Sequence, residues 1–137
     1  NSRTPMQWDD SVNAGFTTGT PWLKAGKSYP IINVENEING PIFTFYQKLI
    51  GLRKELPIIA EGSYQPAYED SPQVYAFERE WQGQKLLVLN NFYKDPITVD
   101  ILPDYQNGQV LLSNYGRTQI DHILTLQPYE TLAILVN

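Results

Sequence analysis

Three zones of hydrophobic patterning divide the chain. Residues 1–40 show neither the 3.6-residue period of a helix nor the alternation of a strand, and they hold four of the nine glycines and three of the ten prolines. This composition predicts a long loop. Because compact domains rarely contain an irregular loop of this length, we expect the segment to pack against a surface outside itself.

The second zone has the period of an amphipathic helix. Pro41 suits the first helical position, Arg53 and Lys54 suit the last turn, and Pro57 ends the pattern. Apolar residues at intervals of three and four predict a helix over residues 41–56. Its apolar face consists of Ile42, Phe45, Tyr46, Leu49, Leu52 and Leu56.

From Glu61 onward the pattern changes to short strands. Residues 73–81 alternate, residues 84–92 form a continuous apolar run, and residues 82–83 between them predict a hairpin turn. Six or seven strands separated by turn residues predict a mainly β fold, an antiparallel β-sandwich preceded by a long loop and one helix. The further strands are predicted at residues 97–102, 108–115, 122–127 and 130–137.

Length, charge and composition narrow the function classes. A chain of 137 residues with 42% hydrophobic residues can bury a core, but it is too short for a (β/α)₈ barrel of about 250 residues. A net charge of −5 with scattered basic residues argues against nucleic acid or an anionic membrane as a partner and favours a small neutral or cationic molecule. The absence of cysteine suits a cytoplasmic location. No apolar run reaches the roughly 18 residues of a membrane span.

Few side chains stand in patterns that are typical of a catalytic site. His122 has no second His or Cys with which to bind a metal, and we interpret it as structural or exposed. Asp9 and Asp10 are adjacent, which is typical of turn-holding carboxylates rather than of a glycosidase pair that faces across a substrate. We therefore predict no metal and no cofactor. Arg3 lies near Trp8, where its guanidinium either binds a carboxylate and a sugar hydroxyl together or fixes the loop through a salt bridge.

Three strings carry a resemblance to a known family: NSRTPMQWDDSVNAGFTTGTPWL, YPIINVENEI and FYQKLIGLRKELPII. They resemble the C-terminal stretch of the α-glucosidases of glycoside hydrolase family 13, within which oligo-1,6-glucosidases, dextran glucosidases and trehalose-6-phosphate hydrolases are the most similar. The resemblance implies that residues 1–58 end a catalytic barrel and that residues 59–137 form the β-sandwich called domain C. Residues 1–40 would be the rim loop of the active site, and residues 41–56 the last barrel helix.

The resemblance also implies an activity. Such enzymes hydrolyse α-1,6-glucosidic bonds at the non-reducing ends of isomalto-oligosaccharides or dextran by a retaining mechanism; a trehalose-6-phosphate hydrolase or a sucrose-acting relative is the alternative. The family's catalytic carboxylates stand in Gly-Phe-Arg-x-Asp and Asn-His-Asp motifs, which this sequence lacks, so we predict that the chain alone is inactive. Arg3 matches the arginine of the family's RTPMQW motif and is implied to bind the terminal glucose. Phe16 and Trp22 are further candidates, for which packing is the other interpretation.

An independent carbohydrate-binding module is the alternative from another class. Trp81, Tyr75 or Tyr115 would form its stacking platform, but alternation places Tyr75, Phe77 and Trp81 on one side of their strand, which we interpret as the core side. As partners of the enzyme segment we expect a small α-glucoside and the missing catalytic barrel. Because the helix would lose its cover without that barrel, we expect the isolated chain to self-associate through residues 1–56.

Overall fold

The first of two compact units is mostly irregular. The structure, a computed structural model, describes residues 3–137, and the chain divides into Asn1–Gly51 and Leu52–Asn137. Within the first unit a tight turn with left-handed backbone spans Val12–Gly15, and the short helix α1 spans Val34–Glu37. The predicted long loop is therefore interrupted by two single turns, which are too short to produce a hydrophobic period.

Helix α2 spans Pro41–Glu55 and confirms the predicted helix to within one residue. None of its residues is buried. Ile42 is 67% exposed and Tyr46 is 62% exposed. The amphipathic pattern thus predicted the helix, but most of its apolar residues are exposed, and only Phe45 and Leu52 are partly buried.

The second unit is a β-sandwich of antiparallel strands, which confirms the predicted fold class. Helix α3, Ile58–Glu61, precedes the strands, and a 3₁₀ turn at Pro103–Tyr105 lies among them. One sheet has the order β1-β2-β3-β7-β5 and the other pairs β4 with β6. The strands are β1 Gln65–Ala67, β2 Val74–Trp81, β3 Gln84–Asn91, β4 Ile97–Asp100, β5 Gln109–Ser113, β6 Ile123–Leu126 and β7 Thr131–Val136.

The predicted hairpin turn joins β2 to β3. Trp81 and Gln84 are paired across the two strands, and the two residues between them both have positive φ, 49° at Gln82 and 84° at Gly83. Positive φ at both central positions matches the right-handed twist of the flanking strands. Glycine meets that requirement without steric cost. For this reason a glycine between two strand-like segments predicts the turn.

Apolar side chains cover both faces of the five-stranded sheet. Leu87 and Leu89 of β3 pack in the main core between the two sheets. Leu86, on the other face of the same strand, packs with Ile58 of α3 and Leu135 of β7. The continuous apolar run of β3 therefore reflects a strand that is buried on both sides.

Strand β2 corrects one interpretation made from alternation. Its buried residues Val74 and Ala76 face the main core, whereas Tyr75 is 50% exposed. Trp81 is partly buried on that second face, against the cluster of Ile58. The side of Tyr75 is thus not the main core side, because alternation separates two faces without showing which of them a second sheet covers.

A buried amide holds the connection that follows β3. Asn91 is 2% exposed, and its Nδ2 donates to the carbonyl oxygens of Asp95 at 2.8 Å and Gln127 at 2.9 Å. Its Oδ1 accepts a hydrogen bond from the backbone N–H of Tyr93 at 3.0 Å. Every polar atom of this side chain is satisfied, as burial requires, so Asn91 is structural.

Candidate functional site

The three residues singled out from the sequence, Arg3, Phe16 and Trp22, line one concavity of the first unit. Its volume is about 300 Å³, at the lower end of small-molecule sites. Phe16 is 50% exposed and Trp22 is 81% exposed, so both aromatic side chains are accessible to solvent. The other lining residues are Thr4, Pro5, Met6, Pro21 and Leu23.

Backbone hydrogen bonds close the loop that leads to Phe16. The carbonyl oxygen of Ala14 accepts from the N–H of Trp8 at 2.9 Å and from the N–H of Asp9 at 3.5 Å. The N–H of Ala14 donates to the carbonyl of Ser11 at 2.9 Å. The chain therefore turns back on itself between residues 8 and 14, two residues before Phe16.

The same turn contains three consecutive left-handed residues, Asn13, Ala14 and Gly15, with φ of 58°, 57° and 65°. Asparagine and glycine tolerate this region, but for an alanine it costs about 1–2 kcal/mol. Ala14 is completely buried. A Cβ at Gly15 would collide with the carboxylate of Asp9. Strained backbone of this kind persists where the surrounding contacts determine it, and it is concentrated at functional sites.

Asp9 stabilises the start of this turn. Its Oδ1 accepts hydrogen bonds from the hydroxyl and, at 2.9 Å, from the backbone N–H of Ser11. These bonds lower the pKa of the Asp9 carboxyl below its ordinary value. The resulting stabilisation is complete above the ordinary pKa and is lost as the pH falls through the lowered value. Asp9 therefore holds a turn, as interpreted from its adjacency to Asp10.

A second set of contacts fixes the segment that precedes the loop. The carbonyl of Gln7 accepts from the N–H of Val34 at 2.9 Å, and that of Trp8 accepts from Glu35 at 3.0 Å. Asn33, which is 4% exposed, caps α1 by accepting from Asn36 N–H at 2.9 Å. The backbone at the start of the loop is thus hydrogen-bonded to the first residues of α1.

Other candidate chemistry is sparse. His122 is exposed, and its carbonyl accepts from Ile101 N–H at 2.8 Å, which agrees with a structural or exposed role. Within residues 3–137, no three His, Cys, Asp or Glu side chains are grouped closely enough to hold a metal ion. In that same part of the chain, no helix has the length and apolarity needed to cross a membrane.

A cluster of aromatic side chains occupies the second face of the sandwich unit. The ring centroids of Tyr64 and Phe77 are 5.4 Å apart, and the ring of Tyr75 lies 6.0 Å from those of both Phe77 and Phe92. The hydroxyls of Tyr64 and Tyr75 form a 3.1 Å hydrogen bond. Tyr64, Tyr75 and Phe92 are each at least half exposed. We call these four residues the aromatic cluster.

Sequence reasoning missed most of this cluster. Of its members, the sequence indicates only Tyr75 as a candidate stacking residue, with Trp81 and Tyr115 as alternatives. The structure instead places Trp81 beside Ile58, while the hydroxyl of Tyr115 donates to the carbonyl of Pro128 at 2.8 Å. No local signal could have found the cluster, because Tyr64 and Phe92 lie outside the alternating segment that contains Tyr75 and Phe77.

The chain thus combines an irregular first unit that contains a small aromatic-lined concavity with a β-sandwich unit that follows it in sequence. Two family profiles match the chain. Residues 1–62 match the alpha-amylase catalytic domain, and residues 74–132 match the C-terminal domain of the alpha-amylase SusG. The two matches together cover most of the chain and identify it with the alpha-amylase family, glycoside hydrolase family 13, whose α-glucosidases it resembles over their C-terminal part.

Relatives of known activity agree with this assignment. The trehalose-6-phosphate hydrolase of Bacillus subtilis is 41% identical over 96% of this chain, and the oligo-1,6-glucosidase of Heyndrickxia coagulans is 44% identical over 95% of it. The chain spans 25% and 23% of these relatives. It is thus similar to about a quarter of each enzyme.

Solved structures show the same fold. The trehalose-6-phosphate hydrolase of Bacillus licheniformis superposes with a TM-score of 0.85 at 40% identity, over 98% of this chain and 26% of that one. Trehalulose synthase from Pseudomonas mesoacidophila superposes with a TM-score of 0.88 at 37% identity, over 100% of this chain and 26% of that one. The irregular first unit and the sandwich therefore both have counterparts in complete enzymes of the family.

Proposed function

We propose that this chain is the C-terminal part of an α-glucosidase that hydrolyses α-1,6-glucosidic bonds at the non-reducing ends of isomalto-oligosaccharides or dextran. The observation that carries the proposal is the shared concavity of Arg3, Phe16 and Trp22. Relatives named oligo-1,6-glucosidase support the linkage. Residues 1–58 would complete the catalytic barrel, and residues 59–137 would form the stabilising domain C.

Arg3 is the proposed glucose-binding residue. A guanidinium presents several N–H donors in one plane, so it can hold a sugar hydroxyl while a second edge pairs with a carboxylate. Phe16 and Trp22 offer apolar ring surface to the C–H face of the same sugar. In this proposal the nucleophile and the general acid of the retaining reaction are carboxylates from the rest of the catalytic domain.

The remaining catalytic domain is the proposed partner of the first unit. Apolar side chains are exposed along much of that unit, and groups of exposed apolar side chains mark interaction surfaces. Self-association of the isolated chain, through the same surface, stays a prediction, as does the cytoplasmic location. The exposed side chains include Met6, Trp8, Val12, Ile31, Ile32, Ile38, Ile42, Tyr46 and Ile50.

Activity measurements on the full-length enzyme and on the isolated chain test this proposal. We expect the isolated chain to give no turnover of an aryl α-glucoside, because it lacks the catalytic carboxylates. We expect the full-length enzyme to hydrolyse isomaltose with a higher kcat/KM than trehalose 6-phosphate or sucrose. From an aryl α-glucoside, which has no reducing-end sugar, we expect it to release α-glucose first, as followed by proton NMR. A higher kcat/KM for trehalose 6-phosphate or sucrose would show that the enzyme has that alternative activity instead. Initial release of β-glucose would contradict the retaining mechanism.

A carbohydrate-binding surface on the sandwich is the second candidate function, favoured by the aromatic cluster. Its rings contact one another at interplanar angles of 31° to 77°, and Tyr64, Tyr75 and Phe92 are accessible to a ligand. Tyr75 is further fixed because its carbonyl accepts from Asn90 Nδ2 at 3.0 Å. The paired hydroxyls of Tyr64 and Tyr75 retain acceptor capacity for sugar hydroxyls.

Affinity electrophoresis in gels that contain dextran separates the two candidates. If the cluster binds glucan, dextran will retard the isolated chain, and Tyr75→Ala will abolish the retardation because it removes the central ring. Tyr115→Ala is the matched control, since Tyr115 is 53% exposed and lies outside the cluster. Equal mobility of the wild-type chain with and without dextran would exclude the binding surface.

A further inference from the structure

We infer that Asn13 is a positioning residue for the glucose-binding concavity. Its side-chain amide holds loop 9–19 in the form that brings Phe16 to the concavity lined by Arg3 and Trp22. This inference rests on the proposed function, because it assigns a purpose to the geometry around Arg3. Asn13 itself does not line that concavity, so it acts through the chain that it holds.

The amide of Asn13 spans the turn on which Phe16 stands. Its Nδ2 donates to the carbonyl of Thr17 at 3.1 Å and to that of Gly19 at 3.0 Å. Both N–H groups of the amide are thereby used. The hydroxyl of Thr17 accepts from Gly19 N–H at 3.1 Å, which closes the same turn from the other side. The side chains of Asn13 and Thr17 therefore fix the backbone on the C-terminal side of Phe16, and Asn13 supplies two of the three hydrogen bonds.

Backbone conformation and side-chain chemistry both favour asparagine at this position. Its φ of 58° lies in the left-handed region, which asparagine tolerates better than most residues other than glycine. Glycine would keep this φ but would lose both amide hydrogen bonds. Aspartate would place a carboxylate oxygen against two carbonyl oxygens, which repel it. Asparagine satisfies the two requirements together.

The left-handed turn also decides the direction in which the chain leaves. After three residues of positive φ, Phe16 returns to an ordinary helical conformation with φ of −75°, and the N–H of Phe16 donates to the carbonyl of Asn13 at 3.1 Å. Asn13 thus contacts the chain immediately before and after the phenyl ring through its backbone and its side chain. Loss of the amide bonds would free the ring and leave the concavity without one wall.

Asn13→Gly in the full-length glucosidase tests this inference. We expect KM for isomaltose to rise on the order of tenfold, with kcat changed less, because a wall that binds substrate and transition state alike contributes uniform binding. The inhibition constant for glucose should rise in parallel. Asn39→Gly makes the same chemical change at an exposed turn of the same unit and should leave both constants unchanged.

Arg3→Ala measured in parallel separates the inference from the proposed function. If Arg3→Ala lowers kcat/KM but Asn13→Gly changes only the thermal midpoint, Asn13 is structural and the inference is wrong while the glucose site stands. If neither variant changes kcat/KM or KM, the glucose site is wrong and the inference falls with it. Asn13→Asp provides a second variant, and wild-type KM in a folded Asn13→Asp enzyme would also overturn the inference.

Discussion

Replacing Glu130 by alanine is expected to lower the free energy of unfolding of the sandwich unit by about 3–5 kcal/mol. Glu130 is completely buried. Its Oε1 accepts from Arg117 Nε at 2.9 Å, and its Oε2 accepts from Arg117 Nη2 at 3.2 Å and from the backbone N–H of Gln127 at 2.8 Å. Removing the carboxylate leaves the charge of Arg117 and the N–H of Gln127 without their acceptor, and Arg117 keeps only its 3.1 Å hydrogen bond to the carbonyl of Thr125. The loss of these bonds accounts for the large cost.

The arginine side of this pair has the opposite titration behaviour to a carboxylate. The hydrogen bond from Arg117 to Glu130 raises the pKa of the Arg117 guanidinium. Its contribution to stability is therefore complete below the ordinary pKa of arginine and is lost only as the pH rises through the raised value. Below that raised pKa the guanidinium stays charged. Replacing Glu130 therefore leaves the positive charge of Arg117 without its counter-ion.

Urea unfolding followed by circular dichroism checks the Glu130 prediction. Asp104→Ala is the matched control, because it breaks the solvent-exposed ion pair of Asp104 with Lys85, and exposed pairs contribute little. The double variant Arg117→Leu/Glu130→Leu should recover most of the lost stability, since apolar residues can replace a buried pair. A Glu130→Ala midpoint equal to that of Asp104→Ala would show that the buried pair stabilises nothing.

Replacing Arg3 by alanine in the full-length enzyme is expected to lower kcat/KM for isomaltose by roughly 10- to 100-fold. Hydrogen bonds from a charged group are worth about 1.5–3 kcal/mol, which corresponds to that factor in transition-state binding. Arg3→Lys should restore part of the loss, because a lysine keeps the charge but not the planar set of donors. The thermal midpoint should change little if Arg3 acts on substrate.

Steady-state kinetics and thermal unfolding, measured together, decide between the two interpretations of Arg3. Lys24→Ala is the matched control, since it removes a cation of the same unit from a different concavity, formed with Lys27 and Tyr29, and it should leave kcat/KM near the wild-type value. If Arg3→Ala has a near-normal kcat/KM but a lowered thermal midpoint, Arg3 is structural and does not bind the substrate.

Local patterns predicted the elements well. Pro41, the apolar period and Pro57 sufficed to place α2, because helix ends depend on residues within one turn. Gln82 and Gly83 marked the hairpin for the same reason. Strand β1 was missed because its three residues, Gln65–Ala67, are too few to show alternation. The RTPMQW string pointed to Arg3, and the structure then brought Phe16 and Trp22 to the same concavity.

The sequence by itself determined the order of elements, the fold class and the family, because each depends on periodicity or on a long local string. The tertiary structure decided which face of β2 is buried, how Tyr64 meets Tyr75, and that Glu130 is buried against Arg117. It also decided that Asn13 bridges Thr17 and Gly19. These features depend on distances between residues that are brought together by folding, and a one-dimensional pattern of polar and apolar positions carries no information on which faces or side chains will meet.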